Sequence, residues 1–328
     1  MKKYNILVIG GGNIGHALIY DISDKCNITL IVHEKKKWNT KLEDSKGELS
    51  SSFIVKDWSE PLEKYYNYIF ITLPMIYRDS AFQLIKKNNI ENSNIIGITG
   101  FGNFESLCEE HIKNNNFGSF QRVPYIARIV KYGEKIDILS KKDLLNLYIK
   151  DSQEKTKLEL ESIFNVPINL LKSHYQNTLS NSNPLLHTSR IYTLFYNENK
   201  KYNTFNKEIL FYEEWNNNAS DMLIKMDNEL EEIYKCKNIA HLHYSICKHY
   251  GANNAEEMTK KIRSIIAFKN ILTPMVEKNN LYYPDLKSRY FIEDFGIGLD
   301  SIKTIADICN LEVPNITKVL DWYKNLEE

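Results

Sequence analysis

The sequence predicts an α/β fold in which an N-terminal, doubly wound parallel sheet is followed by a C-terminal all-helical domain, and three observations predict it. A short run rich in Ile, Leu and Val, Tyr4–Ile9, passes through the glycine-rich turn Gly10-Gly11-Gly12-Asn13-Ile14-Gly15 into Asn13–Ile22. In that second segment apolar residues recur at Ile14, Ala17, Leu18 and Ile22, the spacing of a core-facing helix. Strand-like and helical stretches then alternate through the first half, as parallel strands joined by crossover helices do. Beyond Lys172 strand signals nearly vanish and helical periodicity takes over.

Taken in order, further strands are predicted at Ile28–Val32, Phe53–Val55, Tyr68–Leu73 and Asn94–Thr99, with a helical stretch at Ser80–Lys87. Later strands follow at Phe117–Gln121, Ile136–Leu139 and Pro167–Leu170, and Ser152–Phe164 is an amphipathic helix between the last two. The first domain thus spans residues 1–172 and the second residues 173–328. Helical stretches in the second are Ser173–Tyr196, Lys207–Tyr234, Ile239–His249 and Asn254–Ile271. A loop carrying Pro274 and Pro284 precedes Arg289–Gly298, and two helices close the chain, Leu299–Cys309 and Pro314–Leu326, the latter with proline in its first turn. Asn-rich patches such as Asn114–Asn116 and Asn216–Asn218 read as loops or helix ends.

With 328 residues, 43% of them hydrophobic, the chain has apolar material for two cores. Its 42 basic and 42 acidic residues cancel, which argues against a broad field for nucleic acid or an anionic membrane. No apolar stretch reaches membrane-spanning length, and no export signal is evident at the N-terminus. Cys26, Cys108, Cys236, Cys247 and Cys309 lack any Cys-x-x-Cys spacing and read as reduced packing thiols, consistent with a cytoplasmic address. His241 and His243 lie between Cys236 and Cys247, but residues two apart on a helix point to different faces, so no metal site is expected.

The turn after the first strand carries the first chemistry. Gly10 permits a tight bend, Gly12 lets backbone approach a pyrophosphate, Gly15 allows helix to pack on strand, and the helix N-terminus at Asn13 and Ile14 favours the anion. This strand-turn-helix context marks a Rossmann-type dinucleotide-binding domain. At the end of the second strand stands His33-Glu34-Lys35-Lys36-Lys37. A basic cluster there suits a ribose 2′-phosphate, so NADP is expected through His33, Lys35 and Lys36, with Glu34 as the residue that would favour NAD instead.

Three later segments place polar residues where apolar ones are expected: Gln121-Arg122-Val123-Pro124-Tyr125-Ile126-Ala127-Arg128, Ser180-Asn181-Ser182-Asn183-Pro184-Leu185-Leu186-His187, and Arg289-Tyr290-Phe291-Ile292-Glu293-Asp294. Together with the glycine turn they resemble the octopine/nopaline (opine) dehydrogenase family, in order and over nearly the whole chain. The likeness is most specific at Asn183-Pro184 with His187, and at Arg289-Tyr290 with Glu293-Asp294 and Gly298-Leu299. Thr188 and Phe295-Gly296-Ile297 depart from the family's usual proline-bearing continuations.

The resemblance implies an NAD(P)H-dependent reductive condensation of an amino acid with a 2-oxo acid such as pyruvate, giving an N-(carboxyalkyl)amino acid. It implies His187 and Asp294 as the acid-base pair. A histidine exchanges protons near neutral pH, and a carboxylate on its other nitrogen fixes the tautomer. Arg289 is suited to a substrate carboxylate, Gln121 to the oxo acid or the nicotinamide edge, and Asn183 to the cofactor carboxamide. Expected partners are therefore small molecules, with a homodimer compatible and neither nucleic acid nor membrane involved. Two other classes share the fold: a single-substrate reductase of the ketopantoate reductase or glycerol-3-phosphate dehydrogenase type, which leans on a lysine not found here in a comparable motif, and a non-catalytic NAD(P)-binding sensor.

Overall fold

Strand β1 (Tyr4–Ile9) turns Ile6 and Val8 to one face and Leu7 and Ile9 to the other, and all four are fully buried. A strand buried on both faces requires cover on both. The computed structural model describes residues 4–327 and divides the chain into two compact units, Met1–Thr178 and Leu179–Glu328.

After β1 the first unit runs α1 (Asn13–Ile22), β2 (Cys26–Val32), β3 (Ile54–Asp57), β4 (Tyr68–Ile71), α2 (Arg78–Lys87), β5 (Asn94–Ile98), α3 (Phe104–His111) and β6 (Asn116–Phe120). It continues with β7 (Tyr125–Lys131), β8 (Lys135–Lys141), β9 (Leu145–Ile149), α4 (Gln153–Phe164), β10 (Ile168–Leu170) and α5 (Tyr175–Thr178). Eight strands form one sheet in the order β10-β9-β6-β5-β4-β1-β2-β3. The run from β3 to β6 is parallel throughout; β9 joins antiparallel to β6, and β10 lies parallel to β9. Ile6 and Val8 share a core with Ala17, Leu18 and Ile22 of α1 and Leu160, Ile163 and Phe164 of α4. On the opposite face Leu7 and Ile9 meet Ala81, Phe82 and Ile85 of α2 and Phe104 and Cys108 of α3. The doubly wound sheet expected from the sequence is present, with strand order reversing between β1 and β4.

Two strands leave the sheet. Ile136–Leu139, expected as a sheet strand, lies in β8, which pairs with β7 as an antiparallel hairpin against α1. The buried ring of His16 fixes this docking. Gly133, at the hairpin tip, donates its N–H to Nε2 at 2.9 Å, while Nδ1 meets the Gly12 carbonyl at 3.0 Å. Trp38 and Tyr132 enclose the ring with centroids at 4.2 and 5.3 Å.

The second unit contains α6 (Asn183–Phe195), α7 (Asn217–Cys236), α8 (Ile246–Tyr250), α9 (Ala255–Ser264), the hairpin β11 (Met275–Lys278) with β12 (Leu281–Pro284), a π-helical segment Tyr290–Leu299, α10 (Asp300–Ile308) and α11 (Pro314–Glu327). Several helices begin later than periodicity predicts because Asn216, Ser245 and Asn254 cap α7, α8 and α9 by accepting backbone N–H groups. The expected helix over Ser173–Tyr196 is broken between α5 and α6. The loop between Pro274 and Pro284 holds the small hairpin, whose turn is made by Asn279 and Asn280, both at positive φ. Among the described residues no helix is long and apolar enough to cross a membrane.

The reading of all five cysteines as unpaired thiols is corrected. Cys236, at the end of α7, forms a disulfide with Cys309, just beyond α10, with Cα atoms 6.3 Å apart. Their separation of 73 residues carries no local spacing signal, and only the packing of the two helix ends brings them together. Cys26, Cys108 and Cys247 lie outside this disulfide.

Burial pushes the His16 imidazole down from 6.5 to about 4, so the folded chain holds the neutral ring that its acceptor role at Gly133 requires. The stability this lends is complete above the unfolded value and lost as the pH falls through about 4. At 1.36 kcal/mol per pH unit the full loss is about 3 kcal/mol. Thermal unfolding from pH 7 to 4 should therefore show a steeper loss in the wild type than in His16→Gln. Parallel curves for the two proteins would show that His16 is not the responsible group.

Candidate active site

The first functional element lies at the carboxyl ends of β1 and β4. Gly10 has φ +118, a left-handed conformation that favours glycine, and its carbonyl accepts the Thr72 hydroxyl at 2.9 Å. A Cβ on Gly15 would stand 2.1 Å from the Gly10 carbonyl oxygen, so the close approach of α1 to the turn requires glycine. A Cβ on Gly12, by contrast, would meet nothing within 4 Å. Gly12 is the N-cap of α1 and supplies no capping side chain, which leaves first-turn N–H groups, including those of Asn13 and Ile14, for an anion. The open cradle and uncapped helix fit a dinucleotide pyrophosphate. The Asn13 side chain is engaged elsewhere, its Oδ1 accepting the Ile129 N–H at 2.8 Å.

Beyond β2, His33 stacks on Trp58 with centroids 4.9 Å apart and planes 10° from parallel. Lys35 to Lys37 form a single 3₁₀ turn. Lys35 pairs with Glu60 at 2.8 Å and Lys37 with Glu34 at 2.6 Å, while Lys36 is exposed. Solvated pairs of this kind are worth roughly 0–1 kcal/mol, so a bound phosphate could replace them with little loss.

The second element lies within the helical unit. Pro184 stands in the first turn of α6, where its missing N–H is not needed, and His187 follows one turn later. Asp294 lies in the π-helical segment, whose spacing turns it toward α6 while Glu293 faces back to Arg289. His187 Nδ1 and Asp294 Oδ2 are 2.7 Å apart, and each side chain is only 12% exposed. The two residues, separated by 107 positions, are thus brought into contact. A carboxylate only accepts, so Nδ1 carries the hydrogen and the neutral ring presents Nε2 as its acceptor. Tyr290, Phe211 and Tyr212 surround the imidazole at centroid distances of 4.5, 5.6 and 6.4 Å. The Tyr212 hydroxyl lies 3.0 Å from His187 Nε2.

The remaining candidates are distributed as follows. Arg289 is 79% exposed and grips Glu293 with Nε and Nη2 at 2.9 and 2.7 Å, a contact that holds its guanidinium further toward the charged form. Asn183 is exposed at the first position of α6. Gln121 belongs to the first unit, where its Nε2 donates to the Gln176 carbonyl and its Oε1 accepts from Asn146, both at 3.0 Å. Among the described residues no group of three or more His, Cys, Asp or Glu side chains is arranged to hold a metal ion, and His243 instead faces Asp227 at 3.2 Å.

A sheet ordered β3-β2-β1-β4-β5-β6 with a glycine turn at its switch point, together with a helical unit carrying a part-buried His-Asp pair, is the architecture of two-unit NAD(P)-dependent dehydrogenases. The family model described as NAD/NADP octopine/nopaline dehydrogenase, alpha-helical domain, matches residues 170–327, and over that span the chain is similar to the opine dehydrogenase family. It is 21% identical to the tauropine dehydrogenase of Arabella iricolor over 362 aligned residues, which cover 98% of this chain and 91% of that one. It is also 21% identical to the octopine dehydrogenase of Pecten maximus, covering 97% and 88% of the two chains. The solved octopine dehydrogenase complex with NADH and L-arginine superimposes with a TM-score of 0.79 at 18% identity, over 98% of this chain and 89% of that one.

The glycine geometry separates two substitutions that look alike. Gly12→Ala should leave the melting temperature unchanged and weaken NAD(P)H binding by about tenfold, or about 1.4 kcal/mol. Gly15→Ala should destabilise the fold by roughly 1–3 kcal/mol through overpacking against backbone. Calorimetry with and without cofactor checks both, and a destabilised Gly12→Ala would contradict the open cradle.

Proposed function

We propose that the chain catalyses the NADPH-dependent reductive condensation of an amino acid with a 2-oxo acid such as pyruvate, yielding an N-(carboxyalkyl)amino acid. The observation that carries this reading is the 2.7 Å contact between His187 Nδ1 and Asp294 Oδ2 in a helical unit similar to that of the opine dehydrogenase family. An amino acid arrives as an ammonium ion and must lose a proton before it can attack a carbonyl. His187, with its hydrogen fixed on Nδ1 by Asp294, has the Nε2 lone pair for that proton. The resulting carbinolamine sheds water when the proton is returned to its hydroxyl, leaving the protonated imine. Bound NADPH supplies the hydride that reduces the imine carbon. Arg289, with two donors on Glu293, has its remaining amino group for a substrate carboxylate. Gln121 is assigned to the oxo acid through the unused hydrogen-bonding capacity of its amide, and Asn183 to the nicotinamide carboxamide. The names of the relatives and the octopine dehydrogenase complex with NADH and L-arginine support an amino acid substrate class.

Purified protein should oxidise NADPH only when both an amine and a 2-oxo acid are supplied. His187→Ala should lower kcat about 10,000-fold to a small residual rate, and Asp294→Asn should lower kcat at least about 100-fold, with cofactor binding unchanged in both. Turnover on an oxo acid alone would indicate a single-substrate reductase, and cofactor affinity without turnover on any amine would indicate a sensor. Full activity of His187→Ala would remove the assignment.

The preference for NADPH rests on His33 and the lysine turn, whose segment His33–Lys37 carries three lysines against one glutamate. NADPH should bind about tenfold more tightly than NADH, and Lys36→Glu should reverse the order. Equal affinities measured by nucleotide fluorescence would withdraw the NADP assignment.

A further inference from the structure

His187 has both ring nitrogens engaged. With Nδ1–H directed to Asp294, the hydrogen at the Nε2 contact in the neutral ring must come from the Tyr212 hydroxyl, 3.0 Å away. The lone pair that would receive a substrate proton is therefore covered by a phenol. Either that phenol swings aside or protons pass through it. The surroundings of Tyr212 argue against swinging. Its ring lies 4.0 Å from Phe268 with planes 16° apart, it runs 9° from parallel to Trp215, and it meets Phe211 edge-on at 4.7 Å. Only 4% of the residue is exposed.

The backbone on both sides of Tyr212 is also held. Arg190, one turn beyond His187 on α6 and 1% exposed, donates from Nε to the Phe211 carbonyl at 3.2 Å and from Nη2 to the Glu214 carbonyl at 2.8 Å. The helix that carries the base thus also carries the clamp that sets the phenol against it.

We propose that Tyr212 is the proton relay of the site, through which His187 exchanges protons with the substrate amine and with the departing hydroxyl. This rests on the condensation reading above. In the forward step an ammonium N–H passes to Tyr212 Oη as the Tyr212 hydrogen passes to His187 Nε2, leaving a free amine, an intact phenol and an imidazolium stabilised by Asp294. In the dehydration step both transfers reverse: Nε2–H returns to Oη, the phenol hydrogen goes to the carbinolamine hydroxyl, and water leaves. Tyr212 never stands as a phenolate, which suits a hydroxyl whose ionisation burial opposes, with Tyr290, Tyr250 and Asp294 adding to the effect. Arg190 is a positioning residue in this scheme.

The test uses the full chain with the amine and oxo acid pair that turns over best. Tyr212→Phe should lower kcat about 100-fold, the scale of one acid-base step, with both KM values within about threefold of wild type. His187→Ala combined with Tyr212→Phe should be no slower than His187→Ala alone, because the relay leads only to His187. Nitrogen NMR of the His187 ring supplies a readout independent of turnover: loss of the phenol donor should move the Nε2 resonance and leave Nδ1 in place. A Tyr212→Phe enzyme with undiminished kcat, additive losses in the double variant, or an unmoved Nε2 resonance would each overturn the relay. A wild type that never consumes NAD(P)H but shows the Nε2 shift would overturn the condensation reading, and the relay with it, while leaving the hydrogen bond established.

Discussion

An imidazole in a half-buried aromatic box is only as specific as the group that fixes its tautomer, and in the helical unit that group is Asp294. The 2.7 Å contact to Nδ1 decides which nitrogen of His187 accepts, and hence which side of the ring faces Tyr212. Two elements far apart in sequence must be held in register for this contact. One is α6, started by Asn183-Pro184; the other is the π-helical segment Tyr290–Leu299. A π-helix is an uncommon backbone, found frequently at functional sites. Here neighbouring carboxylates separate: Glu293 turns to Arg289 and Asp294 to His187. The adjacent apolar positions Phe291, Phe295 and Leu299 are fully buried and anchor the irregular segment to the unit's core.

The sheet unit answers to a different constraint, the approach of α1 to its own strand. Gly15 lets the helix start against the Gly10 carbonyl, and this proximity aims the uncapped first turn at the end of β1. His16, the next residue, then serves as the anchor for the β7–β8 hairpin. The open first turn and hairpin docking are therefore properties of consecutive residues on one helix, so a shift of α1 disturbs both. Asn13 reinforces the linkage, because its side chain holds the Ile129 N–H of the same hairpin while its backbone lies in the first turn.

Much of this is legible in the residues, and what is not has identifiable physical causes. Tyr4–Ile9 and Asn13–Ile22 match the structure because burial on both faces and a helical apolar stripe leave strong patterns. Strand β7 is hidden because the motif-like stretch Gln121–Arg128 draws attention to its polar residues, although Tyr125 and Ala127 alternate inward as a strand requires. Helix starts in the second unit are misplaced because periodicity does not register a capping side chain such as Asn216 or Asn254. The disulfide between Cys236 and Cys309 depends on tertiary contact alone. Tyr212 is recognisable as a buried aromatic, but the partner of its hydroxyl is a property of the fold.

Arg190 shows why that last gap matters. A guanidinium buried to this degree loses hydration, and burial pushes it down to about 10, with Glu214 nearby acting in the other direction. Its hydrogen bonds go to backbone carbonyls, and Nη1 is buried with no hydrogen-bond partner among the described residues, so the arrangement is costly as pure packing. An apolar side chain of similar volume would fill the same space without that cost but could not grip the carbonyls of Phe211 and Glu214. What the cation adds is therefore positional: it fixes the segment that carries Tyr212 relative to the helix that carries His187. Orientation of the imidazole by Asp294 and orientation of the phenol by Arg190 are two halves of one arrangement, and each uses a buried charge to hold a polar group where apolar packing alone would leave it free to turn.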